Sequence, residues 1–183
     1  QSIDLMTNPK NLLLRLSDLK KPIIMAVNGY AMGAGFSLVL AGDIIFADEE
    51  AKFGLSFTKL GLIPDAGLLY HLPRIVGPWK AKELIYDAKI LSAMEAEQFG
   101  FVNKVFPTGT VLEETIQYAK QLASGPVQIT RFVNSIIQNT INSDLRRTIE
   151  YENFAQSILQ QTEDYEEGIQ SFKEKRLPNF KGK

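Results

Sequence analysis

With 183 residues, 45% hydrophobic and 22% charged, the chain has the balance of an ordinary globular protein and enough apolar material for a sizeable core. A net charge of −1, without any basic block interleaved with aromatics, gives no footprint for nucleic acid or an acidic membrane surface. The absence of cysteine excludes disulfides, thiolate nucleophiles and Cys-based zinc sites, and the single histidine, His71, argues against a histidine-rich metal site or a Ser–His–Asp arrangement. The longest apolar run, residues 22–27, is far too short to span a bilayer. A cysteine-free composition fits a reducing compartment, and a cytoplasmic location is the expectation.

In chain order, Asn8-Pro9 opens a helix, with Asn as N-cap and Pro at the first helical position. Leu12, Leu13, Leu16 and Leu19 give that helix an apolar face. Residues 22–27 read as a strand buried on both faces, as in a parallel sheet covered by helices, and Asn28-Gly29 ends it. Gly33-Ala34-Gly35 leads into a buried helix over 36–41. Residues 43–47 form a second short buried strand, and Lys52-Phe53-Gly54 a third extended piece. Residues 61–65 are a loop entering another helix. Beyond Pro78 the pattern is mostly helical: a helix over 79–88, a capping box at Ser92 and Glu95, a strand over 102–106, and a second capping box at Thr110 and Glu113 opening a helix to about Ser124. Gly125-Pro126 breaks it, and two or three further helices follow, with Ser143 and Thr162 as N-caps. The first half is thus α/β and the stretch after about Thr110 all helical.

The run Asn28-Gly29-Tyr30-Ala31-Met32-Gly33-Ala34-Gly35 lies between a buried strand and a buried helix. Small residues there let a ligand approach the backbone, and amides at a helix N-terminus carry partial positive charge that suits an anion or a developing oxyanion. A purely structural turn is an equal reading of the same residues. A dinucleotide fingerprint fits poorly, because the second half of G-x-G-x-x-G is missing.

The string Lys21-Pro22-Ile23-Ile24-Met25-Ala26-Val27-Asn28-Gly29-Tyr30-Ala31-Met32-Gly33-Ala34-Gly35 resembles the signature of the crotonase (enoyl-CoA hydratase/isomerase) superfamily, nearest to its enoyl-CoA isomerase-like branch. Asp43-Ile44-Ile45-Phe46-Ala47, Phe53-Gly54, Gly61-Leu62-Ile63-Pro64, Leu72-Pro73-Arg74-Ile75-Val76-Gly77 and the stretch from Thr162-Glu163-Asp164 to Phe180 continue it in register. The resemblance implies an α/β fold, a crotonase-like (ClpP/crotonase) spiral core with a C-terminal helical region. Residues 1–109 would be the C-terminal part of that core. Residues 110–183 would be the helical region for trimerisation and the CoA site. The N-terminal part of the family domain, with its second oxyanion amide, is absent from the sequence. The implied ligand is an acyl-CoA thioester, with coenzyme A as part of the substrate and no metal or redox cofactor. The implied assembly is a trimer or dimer of trimers.

Residue by residue, the resemblance assigns the backbone N–H of Ala34 to the oxyanion hole, beside Gly33. The two catalytic glutamates of family hydratases match Ser37 and Phe57, neither of them acidic, so Ser37 and Phe57 become substrate-lining positions and standard hydration is disfavoured. Asp65, in Pro64-Asp65-Ala66-Gly67, matches a segment where isomerases of the superfamily carry a catalytic aspartate. A single carboxylate can take a proton from one carbon and return it to another. Asp after Pro is equally a good N-cap. Phe172 and Lys175 match tail positions that lie near CoA in the family, although a solvated helix face explains them too. His71 reads as a structural or surface residue, Tyr30 and Tyr70 as core or pocket-wall residues, and Lys59 as a solvated charge. Three activities follow: an isomerase-like enzyme, an atypical hydratase, and a non-catalytic acyl-CoA binder.

Overall fold

A computed structural model describes residues 12–140 and 142–183. The expected helix start at Asn8-Pro9 lies outside the described residues; residues 12–17 are helical. The chain divides into two compact units, residues 1–19 with 23–116 and residues 20–22 with 117–183.

Among the described residues, the first unit carries two three-stranded sheets. In one, β1 (Ile24–Val27) pairs in parallel with β3 (Ile44–Asp48), which pairs in parallel with β6 (Lys104–Phe106), in register Ile24 to Ile44 and Phe46 to Lys104. In the other, β2 (Tyr30–Met32) runs parallel to β4 (Lys52–Gly54), and β5 (Ile90–Ser92) runs antiparallel to β4. Central β3 is buried from Ile45 to Asp48, as a parallel strand covered on both faces should be. β1 departs from the expectation of two-sided burial. Only Val27 is fully buried, and among the described residues β3 is the one strand paired with β1.

Helix α1 (Ala34–Val39) follows β2, a 3-10 turn (Thr58–Leu60) follows β4, and α2 (Leu68–Val76), α3 (Pro78–Tyr86) and α4 (Ala93–Gln98) follow in turn. The core is aromatic at its centre. Phe36 of α1, Phe53 of β4 and Phe101 from the loop after α4 form a triangle of rings with centroids 5.1–5.6 Å apart. Leu68, Leu72, Leu84 and Leu91, all without solvent exposure, pack in the same cluster. Such tilted ring pairs contribute roughly 0.5–1.5 kcal/mol each beyond their buried area. A smaller cluster joins Phe46 and Phe106 with Val111. At the start of α4 the expected capping box is formed: Glu95 N–H donates to Ser92 Oγ (3.2 Å), and Ser92 N–H to the Glu95 carboxylate (2.9 Å).

Helix α5 (Val111–Ala123) begins in the first unit and ends in the second. The Thr110 hydroxyl before it donates to the Pro107 carbonyl (2.8 Å). In the second unit α6 (Val127–Thr140) packs on α7 (Leu145–Leu159), and α8 (Glu163–Glu174) follows. Thr162 caps α8 as expected, accepting from Tyr165 N–H (3.1 Å). Helix α7 is capped by Asp144, which accepts from Arg147 N–H (2.9 Å), and not by Ser143; the Ser143 hydroxyl is buried without a partner among the described residues. The residues after α8 return along it. Asp164 accepts from the N–H groups of Lys181 (2.7 Å) and Gly182 (2.9 Å), and Glu167 accepts from Asn179 N–H (2.8 Å) and Arg176 Nη2 (2.8 Å). Among the described residues no helix is long and apolar enough to cross a membrane.

Candidate active site

The glycine-rich turn is set by the β2–β4 ladder. Beyond Met32, which is in register with Gly54, the Gly33 N–H donates to the Gly54 carbonyl (2.9 Å). Gly33 then takes φ +53°, ψ −121°, a backbone region that a side chain disfavours, and the chain enters α1. The Gly33 carbonyl accepts both donors of Ser37, the N–H at 3.1 Å and the hydroxyl at 3.4 Å. The peptide linking Gly33 to Ala34 is trans, so its N–H points opposite to that carbonyl, away from α1. Among the described residues the Ala34 N–H meets no acceptor, and Ala34 is exposed. A free, outward amide held by a fixed carbonyl is a preorganised donor for negative charge.

Ser37 itself has no solvent exposure. Its hydroxyl stands behind the turn, on the carbonyl side, which supports a place in shaping the turn over contact with a ligand. Phe57 lies on the turn. A methyl carbon placed on Gly33 would meet the Phe57 ring at 3.7 Å, and the ring is buried. Two N–H groups, of Leu60 (2.9 Å) and Leu62 (3.0 Å), converge on the Phe57 carbonyl, so this residue anchors the loop that leads to Asp65. The structure therefore gathers Gly33, Ala34, Ser37 and Phe57 at one turn.

Asp65 stands on that loop, exposed, after buried Pro64. It does not cap the helix. The residue at the N-cap of α2 is Gly67, without a side-chain bond, and the Asp65 carboxylate has no hydrogen bond or ion pair among the described residues. Asp65 opens a tight turn, Leu68 N–H to Asp65 carbonyl (3.1 Å), whose two middle residues, Ala66 (φ +51°) and Gly67 (φ +81°), are both left-handed. Positive φ at a non-glycine residue costs of order 1 kcal/mol and persists where the surroundings enforce it.

His71, for which the sequence suggests a structural or surface role, lies one turn into α2. Its ring lies against that turn, with Cδ2 3.4 Å and Nε2 3.5 Å from a methyl carbon placed on Gly67. Partial burial, with Arg74 nearby adding to it, lowers the imidazole's pKa below its ordinary value and favours the neutral ring. The sequence offers one signal for this packing, the four-residue spacing of Gly67 and His71 on one helix face.

Phe172 and Lys175 belong to the second unit. The Phe172 ring is 85% exposed, and Lys175 ends α8 in a left-handed conformation (φ +55°) that turns the chain back along the helix.

Comparison with known proteins agrees with this architecture. The family model described as enoyl-CoA hydratase/isomerase matches residues 2–183. The chain is 39% identical to the 1,2-epoxyphenylacetyl-CoA isomerase of Escherichia coli (strain K12), over 100% of this chain and 69% of that protein. It is 40% identical to the mitochondrial enoyl-CoA hydratase of Pongo abelii, over 91% of this chain and 57% of that protein. Among solved structures, the enoyl-CoA hydratase from Bacillus anthracis superposes with a TM-score of 0.91 at 39% identity, covering 96% of this chain and 68% of that one. In fold and in sequence, the chain belongs to the enoyl-CoA hydratase/isomerase family and has its crotonase-like fold.

Proposed function

We propose that the chain processes an acyl-CoA thioester and moves its carbon–carbon double bond, with the Ala34 N–H on the thioester oxygen and Asp65 as the proton shuttle. The observation that carries this reading is the Asp65 carboxylate, exposed on an enforced turn and not spent on its helix. A thioester α-C–H is too weak an acid to ionise readily at neutral pH. A donor aimed at the oxygen lowers that barrier, and removing one such donor costs about a hundred- to a thousand-fold in rate. For a 3-enoyl thioester, the Asp65 carboxylate takes the C2 proton. The C–H electron pair spreads into the dienolate, and the same carboxyl group, its acid proton exchanging with solvent because Asp65 is exposed, delivers a proton to C4. The thioester carbonyl reforms with the double bond at C2, the carboxylate is regenerated, and no water is consumed.

The positions that hold glutamates in family hydratases support isomerisation over hydration, because Ser37 is buried on the Gly33 carbonyl and Phe57 is a buried ring. By its name the isomerase at 39% identity acts on an epoxide, so it supports isomerisation of a CoA ester in general and not double-bond migration in particular. The hydratase reading draws on the hydratase at 40% identity. It is distinguished by product, since hydration adds the mass of one water. The proposal includes coenzyme A held in part by Phe172 and Lys175, and self-association as a trimer or dimer of trimers, for which the exposed Leu145 and Phe154 supply apolar surface.

The test is isotope exchange. A 3-enoyl-CoA incubated with the protein in heavy water should give the 2-enoyl isomer with deuterium at C2 or C4, and Asp65→Asn should slow this by about a hundredfold or more. Undiminished exchange in Asp65→Asn removes Asp65 from the mechanism, and a hydrated product replaces isomerisation with hydration.

A further inference from the structure

The left-handed turn that carries Asp65 is braced from α2 by a chain of three side chains. The Arg74 guanidinium lies 3.5 Å from the centre of the Tyr70 ring and donates through Nη1 to the Tyr70 carbonyl (2.8 Å). The Tyr70 ring meets His71 edge-on, centroids 5.1 Å apart at 83°. The His71 ring stands beside Gly67, one methyl group's contact distance away, and His71 N–H donates to the Gly67 carbonyl (3.0 Å). On the far side the turn is held by Pro64 and Leu68, both buried. Ala66, a non-glycine residue at φ +51°, would relax toward ordinary φ without such a brace. The relaxation would swing Asp65, which begins the same turn.

We propose that His71 is a positioning residue for Asp65, its ring held by Tyr70 and Arg74 beside Gly67, where it limits how far the turn can relax. The ring has no hydrogen-bond partner among the described residues, so its contribution here is shape. This inference rests on the reading of Asp65 as the proton shuttle. It differs from a general stabilising role, because it affects proton transfer and leaves substrate affinity alone.

Double-bond migration of the 3-enoyl-CoA should be measured for His71→Ala and His71→Phe, with thermal melts. His71→Ala should lower kcat about tenfold with KM unchanged, as expected when a reacting group is displaced by a fraction of an ångström. His71→Phe keeps a flat ring at Gly67 and should recover most of that loss. Unchanged kcat in His71→Ala overturns the inference, as does a loss that appears in KM or follows a lowered melting temperature and is not rescued by Phe. Asp65→Asn run alongside separates the two levels. Full activity there overturns the shuttle and this inference with it, whereas an inactive Asp65→Asn beside a fully active His71→Ala overturns this inference alone.

Discussion

Ser37 aims two donors at the Gly33 carbonyl from a position with no solvent exposure, and this geometry decides what substitutions there can do. The 3.4 Å hydroxyl contact is the weaker of the two, so Ser37→Ala leaves the stronger N–H bond and should lower kcat only about two- to fivefold. The carbonyl stretch of a bound, carbon-13-labelled thioester would report the same small change. Ser37→Glu, which writes in a family glutamate, buries a carboxylate with no cation beside it in the described surroundings. We expect it to lower stability by about 3 kcal/mol in urea melts, with no gain of hydratase activity. His71 gives a pH signature of its own. Burial first, and Arg74 second, hold its pKa below 6.5, so the unfolded chain binds this proton more readily than the folded one. Stability should therefore fall as pH drops below about 6.5, and His71→Phe should flatten that part of the profile.

Among the elements, helix caps divide legible from illegible sequence. Ser143 and Asp144 are adjacent residues that both suit an N-cap, and sequence alone does not rank them. Asp144 takes the extended conformation (φ −90°, ψ 166°) and the bond to Arg147 N–H, leaving the Ser143 hydroxyl without a partner among the described residues. Asp144→Ala should accordingly cost ~1 kcal/mol in denaturant unfolding. Ser143→Ala should be neutral or stabilising, since it removes a buried hydroxyl without a partner. Pro64-Asp65-Ala66-Gly67 divides in the same way. It allows a cap on Asp65, but the left-handed pair Ala66 and Gly67 follows, and Gly67 takes the cap position. β2 and β5 escape sequence reading because each is three residues long and exists only through pairing with β4. The turn at Gly33 was readable because glycines mark it, whereas the direction of the Ala34 N–H depends on Gly54, far along the chain. Family likeness brought Asp65, Ser37 and Phe57 to notice; that Phe57 lies on Gly33 is a matter of packing that no spacing encodes.

At the scale of the molecule, acid sensitivity concentrates where the chain folds back along α8. Arg176 above all, then the Asn179 N–H, draws Glu167 down to about 2 from its ordinary 4.5. The folded state keeps this carboxylate charged at pH values where the unfolded chain protonates it. Its contribution is therefore complete above about 4.5 and disappears as pH falls toward 2, and Glu167→Gln should abolish it at all pH values in acid-unfolding curves. The same clasp bears on digestion. A tryptic pocket must take the Arg176 side chain, yet that guanidinium is shared between Glu167 and Glu174. Cleavage after Arg176 waits for both carboxylates to let go. The rate of nicking there becomes a clock for the opening of the clasp, and it should run faster in Glu167→Gln than in the parent chain.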